Sequence, residues 1–150
     1  MPEAQIRAAR PADVPALLAL EALFPGDRLS PRQFRHHLRN PRARLRVLRQ
    51  AGRLVGYALL LLRRGSRVAR LYSIVVDPAE RGRGHGARLL ADAERQARRA
   101  GALELRLEVR TDNLAAATLY ERRGYGRIGR REGYYEDGAA AWRYGRSLQR

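Results

Sequence analysis

Leu71-Tyr72-Ser73-Ile74-Val75-Val76-Asp77-Pro78-Ala79-Glu80-Arg81-Gly82-Arg83-Gly84-His85-Gly86 decides how this chain folds. Its first half is apolar and β-branched, and it extends a strand that begins at Val68. Asp77-Pro78 stops that strand, because proline has no N–H for a ladder. Glycines at 82, 84 and 86 then open a helix running from about Gly84 to Ala100. Leu89, Leu90, Ala93 and Ala97 give this helix one apolar face, and Gly101 closes it as a C′ glycine. Closely spaced glycines at a helix start bring backbone N–H groups to a phosphate, and the helix dipole favours its charge. Arg81 and Arg83 add charge-assisted contacts. The spacing is not that of a dinucleotide-binding fingerprint, and the strand lies in mid-chain.

The rest of the chain alternates strand and helix around this unit. Upstream, Gln5 to Ala8 is a short strand. A helix follows with Val14, Leu17, Leu18 and Leu20 on its apolar side and Asp13 as its expected cap. Ser30-Pro31 starts a second helix that Asn40-Pro41 ends. Arg44 to Gln50 and Leu54 to Leu62 are strands, the latter apolar enough to be central. Downstream, Leu103, Leu105, Leu107 and Val109 face one way while Glu104, Arg106 and Glu108 face the other. Thr111-Asp112-Asn113 leads into a helix to Arg123, closed by Gly124. Tyr125 to Arg131 and Ala140 to Leu148 are two closing strands. The order β-α-α-β-β-β-α-β-α-β-β predicts an α/β (α+β) chain, a mixed seven-stranded sheet with helices on both faces. No linker or repeat interrupts residues 1–150, so a single domain is expected.

Composition narrows the chemistry. The chain has 150 residues, 31 basic against 15 acidic side chains, and a net charge of +16. All the basic residues are arginine. Without cysteine there is no disulfide, thiolate metal site or thiol nucleophile. Without lysine there is no Walker-type loop and no Schiff base. The longest apolar run, Val55 to Leu62, is far short of a membrane span. Met1-Pro2-Glu3 does not begin a signal peptide, which makes the cytoplasm the expected compartment. The charge suggests nucleic acid. Yet two Asn, three Ile, two Phe and no Lys beside abundant Ala, Arg, Leu and Gly describe a G/C-rich coding sequence. The arginines are also spread along the chain, so nucleic acid is not the expected main partner. His36, His37 and His85 lack metal-ligand spacing, and no metal is expected.

Arg81-Gly82-Arg83-Gly84-His85-Gly86 resembles the (Arg/Gln)-x-x-Gly-x-(Gly/Ala) signature of the GNAT superfamily of acyl-CoA-dependent N-acyltransferases. The resemblance extends over nearly the whole chain. Leu71 to Pro78 looks like the strand before the loop. Leu107-Glu108-Val109-Arg110, Asn113, Ala116 to Glu121 and Gly124-Tyr125 look like the second half of the acetyl-CoA site. Tyr134-Tyr135-Glu136-Asp137-Gly138 resembles the late loop of the ribosomal-protein N-terminal alanine acetyltransferase subfamily.

That resemblance implies two central parallel strands that splay apart to admit acetyl-CoA. The pantetheine arm pairs with backbone of Ile74, Val75 and Val76. The pyrophosphate sits on N–H groups of Gly82, Arg83, Gly84, His85, Gly86 and Ala87, and Asn113 touches the arm. Glu108 is the implied general base, directly or through water, and Tyr120 the implied acid that protonates CoA thiolate. Tyr134 and Tyr135 line the acceptor side, where Asp27, Glu136 and Asp137 are further candidates for meeting a cationic amine. The expected reaction is direct acetyl transfer in a ternary complex to a primary amine, foremost a protein N-terminal α-amine, in a monomer or homodimer. The Phe24 to Ser30 segment departs from the aromatic Pro-Trp-Ser of the alanine acetyltransferases, and the only tryptophan is Trp142. A polyamine, aminoglycoside or amino acid acceptor therefore stays open, as does a basic binding module on the same scaffold.

Overall fold

The computed structural model describes residues 3–24, 26 and 28–149. Among these, seven strands form one sheet in the order β1-β2-β3-β4-β5-β7-β6. The strands are β1 (Gln5–Ala8), β2 (Ala43–Gln50), β3 (Arg53–Leu61), β4 (Val68–Val76), β5 (Glu104–Arg110), β6 (Gly126–Arg131) and β7 (Ala141–Ser147). The helices are α1 (Val14–Glu21), α2 (Pro31–Arg39), α3 (His85–Arg99) and α4 (Leu114–Arg122). β4 and β5 are the one parallel pair, and the other neighbours are antiparallel. The expected order and mixed sheet are therefore present, with element ends shifted by a residue or so.

Each face of the sheet has its own core. Leu48, Ala58, Leu60, Leu105 and Leu107 meet Leu89, Leu90 and Ala93 of α3 on one side. Leu45, Val47, Tyr57 and Leu59 meet Val14, Leu17, Leu20 and Phe34 of α1 and α2 on the other. The alternation of β5 explains why it divides so cleanly: Leu105, Leu107 and Val109 are buried while the intervening charged residues are not. α1 and α2 pack on β2, β3 and β4. The same face of β5, β7 and β6 is left without a helix among the described residues.

The helix starts bear out one cap and correct another. Ser30 accepts from Gln33 N at 3.1 Å while Gln33 Oε1 accepts from Ser30 N at 2.8 Å, a complete capping box before α2. Asp13 does not cap α1. Its carboxylate instead accepts from Arg10 N at 2.8 Å and from both terminal nitrogens of Arg7, closing the 3-10 turn Pro11–Asp13. The Arg7 guanidinium and the Arg10 main-chain N–H upstream outcompete the helix's own amides for the same oxygens.

Gly56 on β3 pairs with Val76 at the end of β4. A Cβ there would lie 2.9 Å from the Val75 carbonyl oxygen and 3.2 Å from Leu89 Cδ1. Neither a strand carbonyl nor a buried leucine yields easily, so Gly56→Ala is expected to destabilise the protein by about 1–3 kcal/mol. Because the displaced group belongs to the segment expected to face acetyl-CoA, affinity for acetyl-CoA is expected to fall with it. Thermal denaturation and calorimetric titration check the two effects.

Candidate active site

The parallel pairing of β4 with β5 stops at Leu71 opposite Leu107. Beyond it β4 continues to Val76 and β5 to Arg110 with no mutual register. A bulge explains the parting. On β3, Leu59 pairs with Ser73 and Leu60 with Leu71, which leaves Tyr72 as the extra residue on β4. Past the bulge the Asp77 N–H donates to Val55 on β3 at 2.8 Å. By the alternation of a strand, the N–H and C=O groups of Ile74 and Val76 then face away from β3, into the gap. The expected splay is present, with a row of main-chain donors and acceptors along one wall.

A cavity of about 780 Å³ runs from this gap to the start of α3. Its walls include Ile74, Val75, Val76, Arg81, Gly82, Gly84, His85, Gly86, Asn113 and Tyr120. Gly82 and Gly84 both have φ of +79°, so the loop takes two left-handed turns that a side chain would strain. Gly84 is the N-cap residue of α3 and uses no side chain to cap it. The first N–H groups of a 15-residue helix therefore open onto the cavity. His85 is 4% exposed; neither ring nitrogen makes a hydrogen bond in the chain, and Nε2 lies 4.0 Å from the Glu80 carboxylate, which also borders the cavity. Left-handed glycines, open helix amides and an adjacent Arg81 suit a pyrophosphate. Arg83 sits to one side, 3.6 Å from Glu80, and neither it nor Ala87 borders the cavity. Asn113 caps α4 by accepting from Ala116 N at 3.1 Å. Its carbonyl is thus engaged, and its amide N–H groups remain for a ligand.

Glu108 and Tyr120 border one smaller cavity of about 290 Å³, together with Tyr134 and Tyr135. The Glu108 carboxylate is held from three sides. Arg70 pairs with Oε1 at 2.7 Å, Tyr134 donates to Oε1 at 3.2 Å, and Arg143 lies 3.7 Å from Oε2. Arg70 also donates to the Tyr134 hydroxyl. Burial and the neighbouring Glu108 push the Tyr134 hydroxyl up, so it remains a proton donor. Tyr120 is buried and sits edge-on to Tyr125 at 5.8 Å. Desolvation, with Tyr135 adding to it, raises its pKa well above the ordinary phenol. The ring is thus part of the core while the residue borders both cavities.

On the acceptor side, Tyr134 and Tyr135 stack edge-on at 4.9 Å. Glu136 borders the larger cavity. Asp137 does not reach it: Arg110 holds it at 2.7 Å, and its carboxyl also accepts from Ala139 N. Asp27 lies outside the described residues. One group escaped the sequence reading. Glu21 ends α1, is 7% exposed, and borders the larger cavity. It accepts from Leu29 N at 2.9 Å and from the Tyr57 hydroxyl at 2.5 Å, tying the α1–α2 segment to β3. The available signal was a carboxylate at the end of an otherwise apolar helix.

A splayed parallel pair, a glycine loop opening on a helix N-terminus, and a carboxylate and a phenol at the gap define an acyl-CoA-dependent acyltransferase. Residues 13–125 match the model of the Acetyltransferase (GNAT) family. The chain is 41% identical over 141 residues to N-alpha-acetyltransferase RimI of Mycobacterium tuberculosis, covering 87% of this chain and 84% of that one. The fold superposes on the ribosomal-protein-S18-alanine N-acetyltransferase from Escherichia coli with a TM-score of 0.87 and 27% identity, over 99% and 96% of the chains. On Ard1 from Thermoplasma volcanium the TM-score is 0.88 at 25% identity, over 98% and 99%. The chain belongs to the GNAT acetyltransferase family and is an N-acetyltransferase that uses acetyl-CoA. Among the described residues no helix is long and apolar enough to cross a membrane.

Proposed function

We propose that this enzyme acetylates the α-amine of a protein or peptide N-terminus, working in the cytoplasm with residues 1–150 as one catalytic domain. The observation that carries the reading is the meeting of Glu108 and Tyr120 at one cavity beside Tyr134 and Tyr135, in a chain 41% identical to an N-alpha-acetyltransferase.

Backbone of Ile74 to Val76 holds the thioester arm. The N–H groups at the start of α3, with Arg81, hold the pyrophosphate, and Asn113 donates to the arm from α4. Acetyl-CoA supplies the activated acyl group. An α-amine with a pKa near ~7.8 is mostly protonated at pH 7, and Glu108 takes its proton directly or through one water. The neutral amine nitrogen bonds to the carbonyl carbon and the C–S bond breaks; as the amide forms, the nitrogen's second proton passes to solvent, from which Tyr120 is reprotonated. The Val76 N–H, turned into the gap, stabilises charge on the carbonyl oxygen. Tyr120, kept protonated by burial, gives its proton to the departing sulfur.

Tyr120→Phe keeps the ring and its packing and removes only the proton. It should lower kcat by about tenfold to a hundredfold, since a thiolate leaves fairly well unaided. CoA affinity should stay within about twofold. Stopped-assay kinetics and calorimetry measure both. The wider reading is tested by CoA release over N-terminal peptides, N-formylated controls, lysine peptides, polyamines and aminoglycosides. Turnover confined to free N-termini supports it. Turnover confined to the small amines overturns it.

A further inference from the structure

The helix-free face of β5, β7 and β6 carries a groove of about 680 Å³ that begins at Glu108. Arg70, Arg106 and Arg143 form its floor. Arg42, Arg63, Arg64 and Arg131 stand on its rim and make no ion pair with any described residue. Glu108 is the groove's one lining carboxylate. The floor is also short of hydrogen bonds: the buried Nε of Arg70 donates to nothing in the chain, and that of Arg143 comes no nearer than 3.7 Å to Glu108 Oε2. Buried guanidinium N–H groups ordinarily find an acceptor. Of the seven arginines, Arg106 is paired with Glu104 and Arg70 and Arg143 share Glu108, so the four on the rim leave a net positive surface complementary to carboxylates.

We propose that this groove binds acidic side chains of the acceptor polypeptide, just after its N-terminal residue. The inference rests on the N-terminal reading and names the substrate class. A chain whose amine reaches Glu108 starts at the mouth of the groove, so its next residues lie beside the arginines. From β5, Arg63 and Arg64 at the end of β3 and Arg131 on β6 are two strands away in either direction, about 10 Å at ~4.8 Å per strand. An extended peptide covers that in about three residues. Carboxylates about three to five residues into the acceptor meet Arg63, Arg64 or Arg131. The continuity with Glu108 favours a polypeptide substrate over a separately bound nucleic acid.

The test uses peptides of about ten residues starting with alanine, bearing Glu, Gln or Arg about three to five residues in. With the wild-type enzyme, KM for the Glu peptide should be about tenfold below that of the Gln peptide and further below the Arg peptide. The preference should fade at high salt, where screening lengths shrink to about 3 Å. In Arg63→Gln/Arg64→Gln/Arg131→Gln, KM for the Glu peptide should rise to the Gln value, with kcat and the Gln KM within about twofold of wild type. Fluorescence anisotropy of the same labelled peptides reads affinity without turnover. Selective binding of the Glu peptide without acetylation of any peptide keeps the groove and overturns the N-terminal reading. Acetylation of all three with equal KM and equal affinity keeps that reading and overturns the groove. A single-stranded RNA bound tightly by the wild type and lost in the triple variant, with no discrimination among peptides, also overturns it in favour of nucleic acid.

Discussion

Glu108→Gln lowers kcat for an N-terminal peptide by about a hundredfold at pH 7 and leaves acetyl-CoA affinity nearly unchanged. The substitution keeps the shape of the side chain and an oxygen for Tyr134 and Arg70, so the junction of the small cavity with the basic groove keeps its shape. It removes the proton acceptor. The effect therefore depends on how much of the amine needs deprotonating. Near pH 9 an α-amine of pKa ~7.8 is mostly free base before it meets the enzyme. The deficit should shrink there to about tenfold or less. A deficit that stays constant from about pH 6.5 to 9 would falsify the general-base role. It would leave Glu108 as the group that positions Tyr134 and Arg70. A KM increase with unchanged kcat would place it in acceptor binding instead.

That pH test matters because the carboxylate is not solitary. Arg70, Arg143 and Tyr134 all reach it. These contacts fix its direction toward the gap, and they also occupy lone pairs that an ammonium would use. An arriving amine must share Oε1 with Tyr134 or approach Oε2 past Arg143. The longer 3.7 Å contact on Oε2 makes that oxygen the easier one to reach, directly or across a water.

Local pattern carried most of the fold. The alternation of β5, the Ser30-Pro31 cap and the glycines around α3 each act within a few residues, and each appears where the sequence puts it. The splay was implied by family resemblance, not by pattern. Its cause, the extra residue Tyr72 opposite β3, depends on cross-strand register that spacing along the chain does not encode. Asp13 leaves α1 uncapped because its carboxylate closes the preceding turn on the Arg10 main-chain N–H and pairs with the Arg7 guanidinium of β1. Glu21 was missed because its partners, Leu29 and Tyr57, are distant in sequence. The arginines show the same limit. Along the chain they look evenly scattered, and codon bias accounts for their type. Folding brings seven of them, from β4, β5, β6, β7 and the ends of β2 and β3, around one groove. Composition explains why they are arginine, and topology decides that they converge.

Glu94→Ala should destabilise the protein by about 3 kcal/mol, lowering Tm by about 6–12 °C. Glu94 lies on α3, is 2% exposed, and accepts three hydrogen bonds at 2.8 Å, from Arg123, Tyr125 and Arg146. Truncation leaves two guanidiniums and a phenol facing a cavity. Because Arg123 and Arg146 are about a third exposed, water recovers part of the loss, which keeps the cost at the low end for a broken buried pair. Burial pushes the Glu94 carboxyl up, but the bonds from Arg123, Tyr125 and Arg146 outweigh it and hold the carboxyl below its ordinary 4.5. A folded-state pKa below the unfolded one contributes stability that is full above about 4.5 and lost as pH falls through the folded value. Asp13, held below 3.8 by Arg7, adds a contribution of the same sign. Wild-type stability should thus be flat from about pH 7 to 5 and decline below it, with a shallower acid limb in Glu94→Ala. The functional consequence lies in the elements that Glu94 joins. It ties the helix that begins at the phosphate loop to the end of α4, which carries Asn113 and Tyr120, and to β7. Loosening it should weaken acetyl-CoA binding before the protein unfolds, even though Glu94 borders none of the described cavities. Unchanged Tm, acid limb and acetyl-CoA affinity in Glu94→Ala would show that the two halves of the cofactor site are held together by the sheet alone.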